Sequence, residues 1–345
     1  MLRNIIRFKG FGKGTSGGFL KPVSFRVQLT RCYRYDNGPS YRRFNNGEYS
    51  QKSSFKSILL DKSSRKYLAL LFGGCSLFYY THLDKAPVSD RSRFIWVSRP
   101  LELTIGNYTY KSIWRQTQQE ILPPQHPLSI KIENIFMKIV EAAYKDPSVD
   151  NSLLDGIKWE IHVVNDPTAS PNAFVLPGGK VFIFSSILPI CANDDGIATV
   201  LAHEFAHQLA RHTAENLSKA PIYSLLGLVL YTVTGAHAIN NILLDGFLRM
   251  PASRQMETEA DYIGLMIMSR ACFQPQESIK VWERMANFEK QMNRGGVVNM
   301  EFLSTHPAST RRIENMSKWL PKANEIYEQS DCSSMGNYYK SFFSM

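Results

Sequence analysis

The feature that most constrains this chain is a pair of histidines four residues apart on a strongly helical stretch. Residues Gly196–Asn216 read GIATVLAHEFAHQLARHTAEN, in which His203 and His207 enclose Glu204. Side chains at i and i+4 lie one above the other on a helix, so both imidazoles can reach one metal ion. Glu204 lies about 100° around the helix from His203, close enough to meet a water on that ion. The pattern predicts a helix that carries a metal site.

The rest of this helix is apolar on most sides, which predicts that it is buried. The apolar positions are Ala198, Val200, Leu201, Ala202, Phe205, Ala206 and Leu209. Buried His and Glu side chains are costly unless they are paired or bind a metal. Two hydrogen-bonded core histidines with an incidental Glu are the alternative, and the buried Glu makes it the weaker one.

A catalytic zinc site uses three protein ligands and keeps one position open for water. His212 follows His203 by nine residues. The metzincin pattern needs Gly at 210 and His at 213, whereas this chain has Ala210 and Thr213. The third ligand of a zinc site in this chain is therefore expected elsewhere.

The segment Ser253–Gly264, SRQMETEADYIG, is the better source of the third ligand. Glu257 and Asp261 lie at i and i+4 of a predicted helix, while Glu259 points to roughly the opposite face. Glu257 can complete the zinc site with the two histidines. Asp261 can accept the second ring N–H of a ligand histidine and so fix its tautomer. The alternative is a solvated helical face that carries both carboxylates.

The motif HEFAH, followed some fifty residues later by SRQMETEADYIG, resembles the gluzincin metallopeptidases of the HtpX and CAAX-prenyl-protease type. Three further segments resemble motifs of that family. They are Asn172–Gly179 ahead of the helix with HEFAH, Ser253-Arg254 before Glu257, and His306-Pro307 followed by Arg312-Ile313. The resemblance covers residues of roughly 130–320. It implies a zincin-like domain with one Zn²⁺ per chain that hydrolyses peptide bonds with Glu204 as general base.

The resemblance also implies roles for residues near the C-terminus. His306 would be a catalytic residue that donates to the developing oxyanion, and Arg312 would hold this motif in place. From the residues alone, His306 could equally lie at a helix start, with Thr305 as cap and Pro307 in the first turn. Arg312 could equally be a surface cation. The segment Asn172–Gly179 either presents an edge strand to an extended substrate or forms an ordinary hairpin.

The N-terminal residues carry a positive charge that the rest of the chain lacks. Residues 1–59 hold 12 Lys and Arg but only Asp36 and Glu48, which accounts for the whole net charge of +10. The remaining chain is neutral, so nucleic acid is not an expected partner. An Arg-rich, acid-poor and partly amphipathic start is typical of a mitochondrial transit peptide. We assign residues 1–60 to a transit peptide and basic leader; an untargeted basic arm is the alternative.

Two apolar segments are candidates for membrane-spanning helices. Tyr67–Leu83 contains no charged residue over 17 positions, roughly 26 Å as a helix and the short end of what spans a bilayer. We predict a transmembrane helix at 67–83, with a buried core helix as the alternative. Ala220–Ile239 is uncharged over 20 residues but lies inside the predicted catalytic domain. This segment is interpreted either as a core or interfacial helix or as a second membrane element.

The predicted fold is α+β, mostly α: a zincin-like metallopeptidase domain with a small N-terminal sheet, preceded by the transmembrane helix. The predicted linker is 84–127, the zinc metallopeptidase domain 128–330 and the C-terminal tail 331–345. Apolar periodicity predicts strands at Ile157–Val164 and Lys180–Ser185. Helices are predicted at 128–145, 194–216, 222–244, 253–270, 275–292 and 307–330.

The basic leader and the early apolar segment narrow the resemblance to the mitochondrial inner-membrane branch of the family, whose activity overlaps that of the matrix-facing AAA protease. The resemblance then implies a protease domain that faces the intermembrane space and cleaves misfolded or stress-targeted proteins. Expected partners are membrane protein substrates, the inner membrane, further copies of this chain and other quality-control proteins of that membrane.

Other classes of protein share only part of this combination of metal motif, basic leader and apolar segment. A prenyl-protein protease of the endoplasmic reticulum would have several spans and no basic leader, and a scaffolding pseudo-enzyme would have a broken site. A di-metal carboxylate oxidase would need a second Glu-x-x-His helix. The five cysteines show no CxxC spacing, which excludes a disulfide-dense scaffold and a cysteine zinc ribbon. Whether Cys272 and Cys332 pair is left open.

Overall fold

The computed structural model describes residues 62–235, 250–294, 306–307, 309–330 and 332. The predicted transit peptide and leader, residues 1–60, lie outside the described residues. The same holds for the tail predicted at 331–345 apart from Cys332, and for the end of the Ala220–Ile239 segment beyond residue 235.

Helices dominate the described residues. Their bounds are α1 Lys62–Thr81, α2 Arg99–Thr117, α3 Pro127–Tyr144, α4 Leu188–Cys191, α5 Asp194–Leu209, α6 His212–Thr234, α7 Met250–Arg270, α8 Gln276–Arg294 and α9 Thr310–Gln329. The strands are β1 Leu83–Lys85, β2 Ser92–Phe94, β3 Glu160–Val164, β4 Ala173–Leu176 and β5 Lys180–Phe184. The α+β architecture with a small sheet ahead of the main helices agrees with the prediction.

The sheets are short. Strands β1 and β2 form an antiparallel hairpin with Leu83 opposite Phe94. The second sheet has the order β3–β5–β4, in which β3 pairs parallel and β4 antiparallel with β5. Gly178 and Gly179 have φ values of +97° and +86°, which glycine adopts readily, and they form the tight turn between β4 and β5. Strand β4 is therefore both part of a hairpin and the edge of its sheet.

Helix α5 lies in the middle of the core. Its amide groups are capped by the side chain of Asn193, which accepts a hydrogen bond of 2.8 Å from the backbone N–H of Gly196. Asp194 and Asp195 in the first turn face the positive end of the helix dipole. Thirteen of the sixteen residues of the helix are buried, which confirms that it is surrounded by other elements.

The continuous helix predicted over 194–216 is wrong. Helix α5 ends at Leu209, and α6 begins at His212 after Arg211 adopts a left-handed conformation with φ +50° and ψ +40°. A non-glycine residue rarely adopts this conformation, so the break has no glycine or proline to signal it. Helix α6 then continues through the start predicted at 222, with Pro221 inside it.

The segment predicted as a linker, 84–127, is not irregular chain, and its role between domains stays a prediction. It contains the hairpin β1–β2 and the 19-residue helix α2. Helix α2 packs closely on the second sheet, since a Cβ on Gly106 would collide with the carbonyl group of Pro177. Pro100 lies in the first turn of α2 and Pro127 begins α3, a position where proline favours helix initiation rather than irregular chain.

Helix α1 contains most of the predicted membrane segment, and its large apolar side chains are exposed. Over the residues that the structure describes, none of the helices combines the length and hydropathy that a membrane span needs. The transmembrane helix predicted at 67–83 is thus not confirmed and stays a prediction. Helix α6 covers residues 220–234 of the second apolar segment, where several side chains are exposed rather than buried in the core: Ile222, Leu225, Leu228, Val229 and Tyr231.

Candidate metal centre

Helices α5 and α7 pack side by side and bring the three predicted ligands together. Nε2 of His203 lies 3.2 Å from Nε2 of His207. The Glu257 carboxylate faces both rings, with Oε2 3.4 Å from Nε2 of His203 and Oε1 3.3 Å from Nε2 of His207. Gly264 permits the close approach of the helices, because a Cβ there would lie 3.0 Å from backbone atoms of Ala202 and His203.

The spacing of these donor atoms fits a tetrahedral metal site. Bonds of 2.0–2.1 Å place neighbouring donors of a tetrahedral zinc site roughly 3.3–3.4 Å apart. The two imidazole nitrogens are 3.2 Å apart, and each lies 3.3–3.4 Å from a different oxygen of Glu257, Oε2 for His203 and Oε1 for His207. Two imidazole nitrogens and a carboxylate oxygen are also a donor set that suits zinc. The residues therefore fit a single Zn²⁺, although the identity of the ion stays a prediction.

His306 adds a fourth nitrogen to the group. Its Nδ1 lies 3.3 Å from Nε2 of His203 and 2.9 Å from Oε2 of Glu257. Burial lowers the pKa of His306 to about 4, so the ring is neutral at pH 7. The candidate ligand atoms of all four side chains lie within 4.8 Å of one another. Helix α9 begins only at Thr310, with Ser309 as its cap, so His306 does not start that helix.

Glu204 lies beside these side chains and is itself buried, with 3% of its surface exposed. Burial raises the pKa of its carboxyl group to about 8. Oε1 has no hydrogen-bond partner among the described residues, and the nearest ring nitrogen, Nε2 of His306, is 3.5 Å away. A buried carboxylate oxygen without a partner costs free energy unless it serves a further group. Glu204 is therefore placed to accept and hold a proton at Oε1.

Asp261 and Arg312 form a layer behind the ligands. Oδ1 of Asp261 lies 3.1 Å from Nδ1 of His203, although the ring N–H is not aligned well enough for a full hydrogen bond. Arg312 donates to both oxygens of Asp261 at 2.6 and 2.7 Å. Burial alone would raise the pKa of Asp261, but the Arg312 guanidinium holds that pKa below its ordinary value.

Arg312 is buried, so the alternative of a surface cation is wrong. Its guanidinium lies 3.6 Å from the centre of the Trp282 ring, a cation–π contact, and it donates to the backbone oxygen of Pro307 at 3.3 Å. Glu257 and Asp261 are buried as well, which excludes the solvated helical face. The segment that carries His306 is thus tied to the same arginine that neutralises Asp261.

A further layer of buried polar side chains, which was not predicted, lies behind His207. Nδ1 of His212 lies 2.8 Å from Nδ1 of His207, and Nε2 of His212 lies 2.9 Å from Oε2 of Glu259. Glu259, expected on the face opposite the site, is buried and binds Arg91. The signal in the sequence is a third histidine, His212, five residues after the zinc motif.

Residues 138–320 match the family model described as peptidase family M48. This range is more than half of the chain and contains His203, Glu204, His207, Glu257, Asp261, His306 and Arg312. The chain belongs to peptidase family M48. The M48 match supports the predicted metalloprotease activity and agrees with the mostly helical domain and its small sheets.

Three M48-type relatives illustrate the similarity. The mitochondrial metalloendopeptidase OMA1 of Schizosaccharomyces pombe is 40% identical over 315 residues, 89% of each chain. The protein of the same name from Arabidopsis thaliana is 30% identical, over 71% of this chain and 61% of its own length. Metalloendopeptidase OMA1, mitochondrial, of Homo sapiens is 27% identical, over 82% of this chain and 56% of its own length. The chain thus spans little more than half of the plant and human proteins.

These comparisons confirm the resemblance found in the sequence: the chain is an M48 metalloprotease of the OMA1 type. The names of the relatives also indicate a mitochondrial location. The zinc ligands and the roles of Glu204, His306, Asp261 and Arg312 stay predictions that rest on the geometry.

Proposed function

We propose that this chain is a zinc-dependent endopeptidase that cleaves misfolded or stress-targeted proteins of the mitochondrial inner membrane. The observation that carries the proposal is the tetrahedral spacing of His203, His207 and Glu257 beside the buried carboxyl group of Glu204. The relatives named as mitochondrial metalloendopeptidases support the same activity and compartment.

Three side chains would hold the ion. His203 and His207 would each present an Nε2 lone pair, and Glu257 would add a carboxylate oxygen. When bound, a zinc ion lowers the pKa of a coordinated water toward neutrality and polarises a substrate carbonyl group. Asp261 supports this arrangement by lying against the opposite nitrogen of the His203 ring, 3.1 Å from Nδ1.

Glu204 acts as the general base in this proposal. Its Oε1, which has no hydrogen-bond partner among the described residues, accepts a proton from the attacking water. The same oxygen later passes the proton to the nitrogen of the departing peptide. Burial raises the pKa of this carboxyl group, which suits it to hold the proton between the two steps, while the positive charge of a bound ion would lower that pKa so that Glu204 is ionised before it accepts the proton.

His306 is the proposed donor to the carbonyl oxygen of the scissile bond as negative charge develops there. The neutral ring has one N–H to donate while the other nitrogen accepts. In the described conformation Nδ1 faces the ligand atoms and Nε2 faces Glu204. The donor role therefore requires the ring N–H to turn toward the substrate, and Arg312 keeps the segment close by binding Pro307.

Strand β4 is the proposed docking strand for an extended substrate. It lies at the edge of the sheet with β5 on one side, and on the other side no described strand pairs with it. An added peptide strand would bind through main-chain hydrogen bonds, which carry little information about side chains. Cleavage with limited sequence selectivity follows from this mode of binding.

The proposed location is the inner membrane, with the protease domain facing the intermembrane space. Exposed apolar side chains on α1 support an anchor at residues 67–83, among them Tyr67, Leu70, Leu71, Phe72 and Leu77. Cys272 and Cys332 form a disulfide. Disulfides persist in oxidising compartments and are rare in reducing ones, which favours the intermembrane space over the matrix. Membrane protein substrates, further copies of the chain and other quality-control proteins are the proposed partners.

A protease-protection experiment tests the location. A C-terminal epitope should resist external protease in intact mitochondria and be digested once the outer membrane is opened. Alkaline carbonate extraction should leave the chain in the membrane pellet. Protection after the outer membrane is opened would contradict the orientation, and release into the carbonate supernatant would contradict the anchor.

A further inference from the structure

A second buried cluster lies behind the metal centre. It consists of His212, Glu215 and Glu259, whose candidate ligand atoms all lie within 4.8 Å of one another, together with Arg91. All three side chains are buried, at 3%, 0% and 5% exposure. A cluster of this composition could hold a second metal ion, or it could orient a ligand of the metal centre.

The charges of the cluster argue against a second ion. Arg91 lies between the two carboxylates, with Nη2 2.6 Å from Glu215 and 2.5 Å from Glu259. Lys219 donates to Glu215 at 2.5 Å. Two carboxylates thus face two cations, and no negative charge is left to compensate a buried divalent ion. The guanidinium of Arg91 already fills the place where a cation would bind.

The hydrogen bonds of the cluster have one consistent direction. Glu259 is ionised beside Arg91 and can only accept, so Nε2 of His212 donates to it across 2.9 Å. Because the Nδ1 atoms of His212 and His207 lie 2.8 Å apart, only one of them can carry a proton, and a His212 ring that donates through Nε2 presents a lone pair at Nδ1. That lone pair accepts from Nδ1–H of His207 across 2.8 Å. The other nitrogen of His207, Nε2, then carries its lone pair toward Glu257.

The backbone break at Arg211 makes this contact possible. In a continuous helix, residues five apart point about 140° away from each other, so the rings of His207 and His212 would not meet. The left-handed conformation of Arg211, with φ +50°, ends α5 and changes the direction of the chain before α6, so that the two rings meet. The guanidinium of Arg211 is held by the buried carboxylate of Glu102 at 2.9 Å and by the backbone oxygen of Val97 at 3.1 Å.

We propose that His212 is a positioning residue for the metal centre. By accepting the Nδ1–H of His207, it fixes the tautomer and the ring orientation that present Nε2 to the ion. Glu259 and Arg91 keep the imidazole of His212 in the matching tautomer. The inference rests on the proposed zinc site and extends it to the β1–β2 turn, because Arg91 belongs to that turn and Ser89 also donates to Glu259.

Three substitutions at position 212 separate this role from simple packing. In His212→Asn, the side-chain oxygen lies where Nδ1 lies and can still accept from His207. In His212→Gln, polar atoms reach only the place of Nε2, toward Glu259. His212→Leu removes the polar atoms at both places. The measurement is the zinc dissociation constant of the full chain in detergent, by competition with a chelator, with Glu204→Gln in every protein to prevent proteolysis.

We expect the Asn variant to bind zinc within about threefold of the parent, and the Gln and Leu variants to bind about 10- to 100-fold more weakly. Thermal unfolding of the metal-free proteins is the companion measurement. Equal zinc affinity in the parent and the Leu variant would overturn the proposal. The proposal would also be overturned if all three variants bound zinc more weakly in proportion to the stability that their metal-free forms lose. A role in packing alone predicts that result.

Failure of the proposed protease function can be distinguished from failure of the inference about His212. Stoichiometric zinc binding by a wild-type chain that cleaves no protein would contradict the protease proposal, while the order of affinities among the position-212 variants would still support the role of His212. A parent that binds no zinc would overturn both.

Discussion

Oδ1 of Asp261 lies 3.1 Å from Nδ1 of His203, on the nitrogen that faces away from Glu257 and His207. Arg312 binds the same carboxylate through two nitrogens and keeps it ionised. A negatively charged group behind a ligand imidazole raises the basicity of the ring and fixes its orientation. Each of the two proposed ligand histidines thus has a buried polar side chain against its Nδ1, Asp261 for His203 and His212 for His207.

The first prediction concerns Asp261. Replacing it by Asn removes the charge behind His203 and takes from the buried Arg312 its bidentate ion-pair partner, which leaves only the longer contact of 3.4 Å with Glu257. Zinc affinity should fall about 10- to 100-fold, and the free energy of unfolding by about 3–5 kcal/mol. Chelator competition and urea unfolding measure the two effects. Glu141→Gln is the matched control, since its exposed ion pair with Lys145 should contribute little. Unchanged zinc affinity in Asp261→Asn would contradict the supporting role.

The second prediction concerns the contact between α5 and α7. A Cβ on Gly264 would lie 3.0 Å from backbone atoms of Ala202 and His203, which cannot move aside as a side chain can. Gly264→Ala should therefore lower the free energy of unfolding by about 1–3 kcal/mol and weaken zinc binding. Gly74→Ala, on α1 with no atom within 4 Å of the new Cβ, should leave zinc binding unchanged. Both variants binding zinc like the wild type would rule out this account of the helix contact.

The third prediction concerns acid stability. Burial would raise the pKa of Glu215, but hydrogen bonds from Arg91 and Lys219 hold it below the ordinary value of 4.5. The folded state therefore binds this proton less readily than the unfolded state. The resulting stability is present above about pH 4.5 and is lost as the pH falls further.

The measurement is the free energy of unfolding in urea between pH 7 and pH 3, with a chelator present so that metal release does not contribute. Glu215→Gln should be less stable than the wild type at pH 7, and the difference should shrink below pH 4.5. Parallel curves for the two proteins over the whole range would show that Glu215 is not held ionised by its partners.

The fourth prediction concerns the disulfide. Cys272 and Cys332 are 60 residues apart in sequence, with Cα atoms 5.2 Å apart, and they tie the end of α7 to the segment after α9. Closing a loop of this length should stabilise the fold by about 2–4 kcal/mol. Cys332→Ser should lose that stability and become insensitive to reductant, whereas Cys75→Ser, at an exposed free cysteine, should behave like the wild type. A wild-type protein whose stability does not change after complete reduction would contradict this estimate.

Part of the site could be predicted because it depends on local periodicity. The spacing of His203 and His207, and of Glu257 and Asp261, places each pair on one helix face wherever that helix lies in the fold. The contact between α5 and α7 is a long-range feature that periodicity does not contain. It was expected because a catalytic zinc site needs a third protein ligand, which Glu257 can supply, and because the two motifs together resemble a known family.

The layer behind His207 could not be predicted in the same way. It depends on Arg211, a residue with a longer side chain in a backbone conformation that usually needs glycine. Helical periodicity therefore continued through position 211 and kept His212 away from His207. The helical structure within the predicted linker was hidden for a different reason: Pro100 and Pro127 lie in the first turns of helices, where proline is favoured, so a high proline content does not by itself predict irregular chain.

The measurement that tests the central claim most directly compares wild type with Glu204→Gln for zinc content and for cleavage of an inner-membrane test protein. We predict about one zinc per chain in both proteins, because Glu204 is not a ligand. Cleavage should be abolished in the variant, because the buried amide cannot accept the proton. Equal cleavage by the two proteins would contradict the mechanism, and the absence of zinc from both would contradict the metal centre itself.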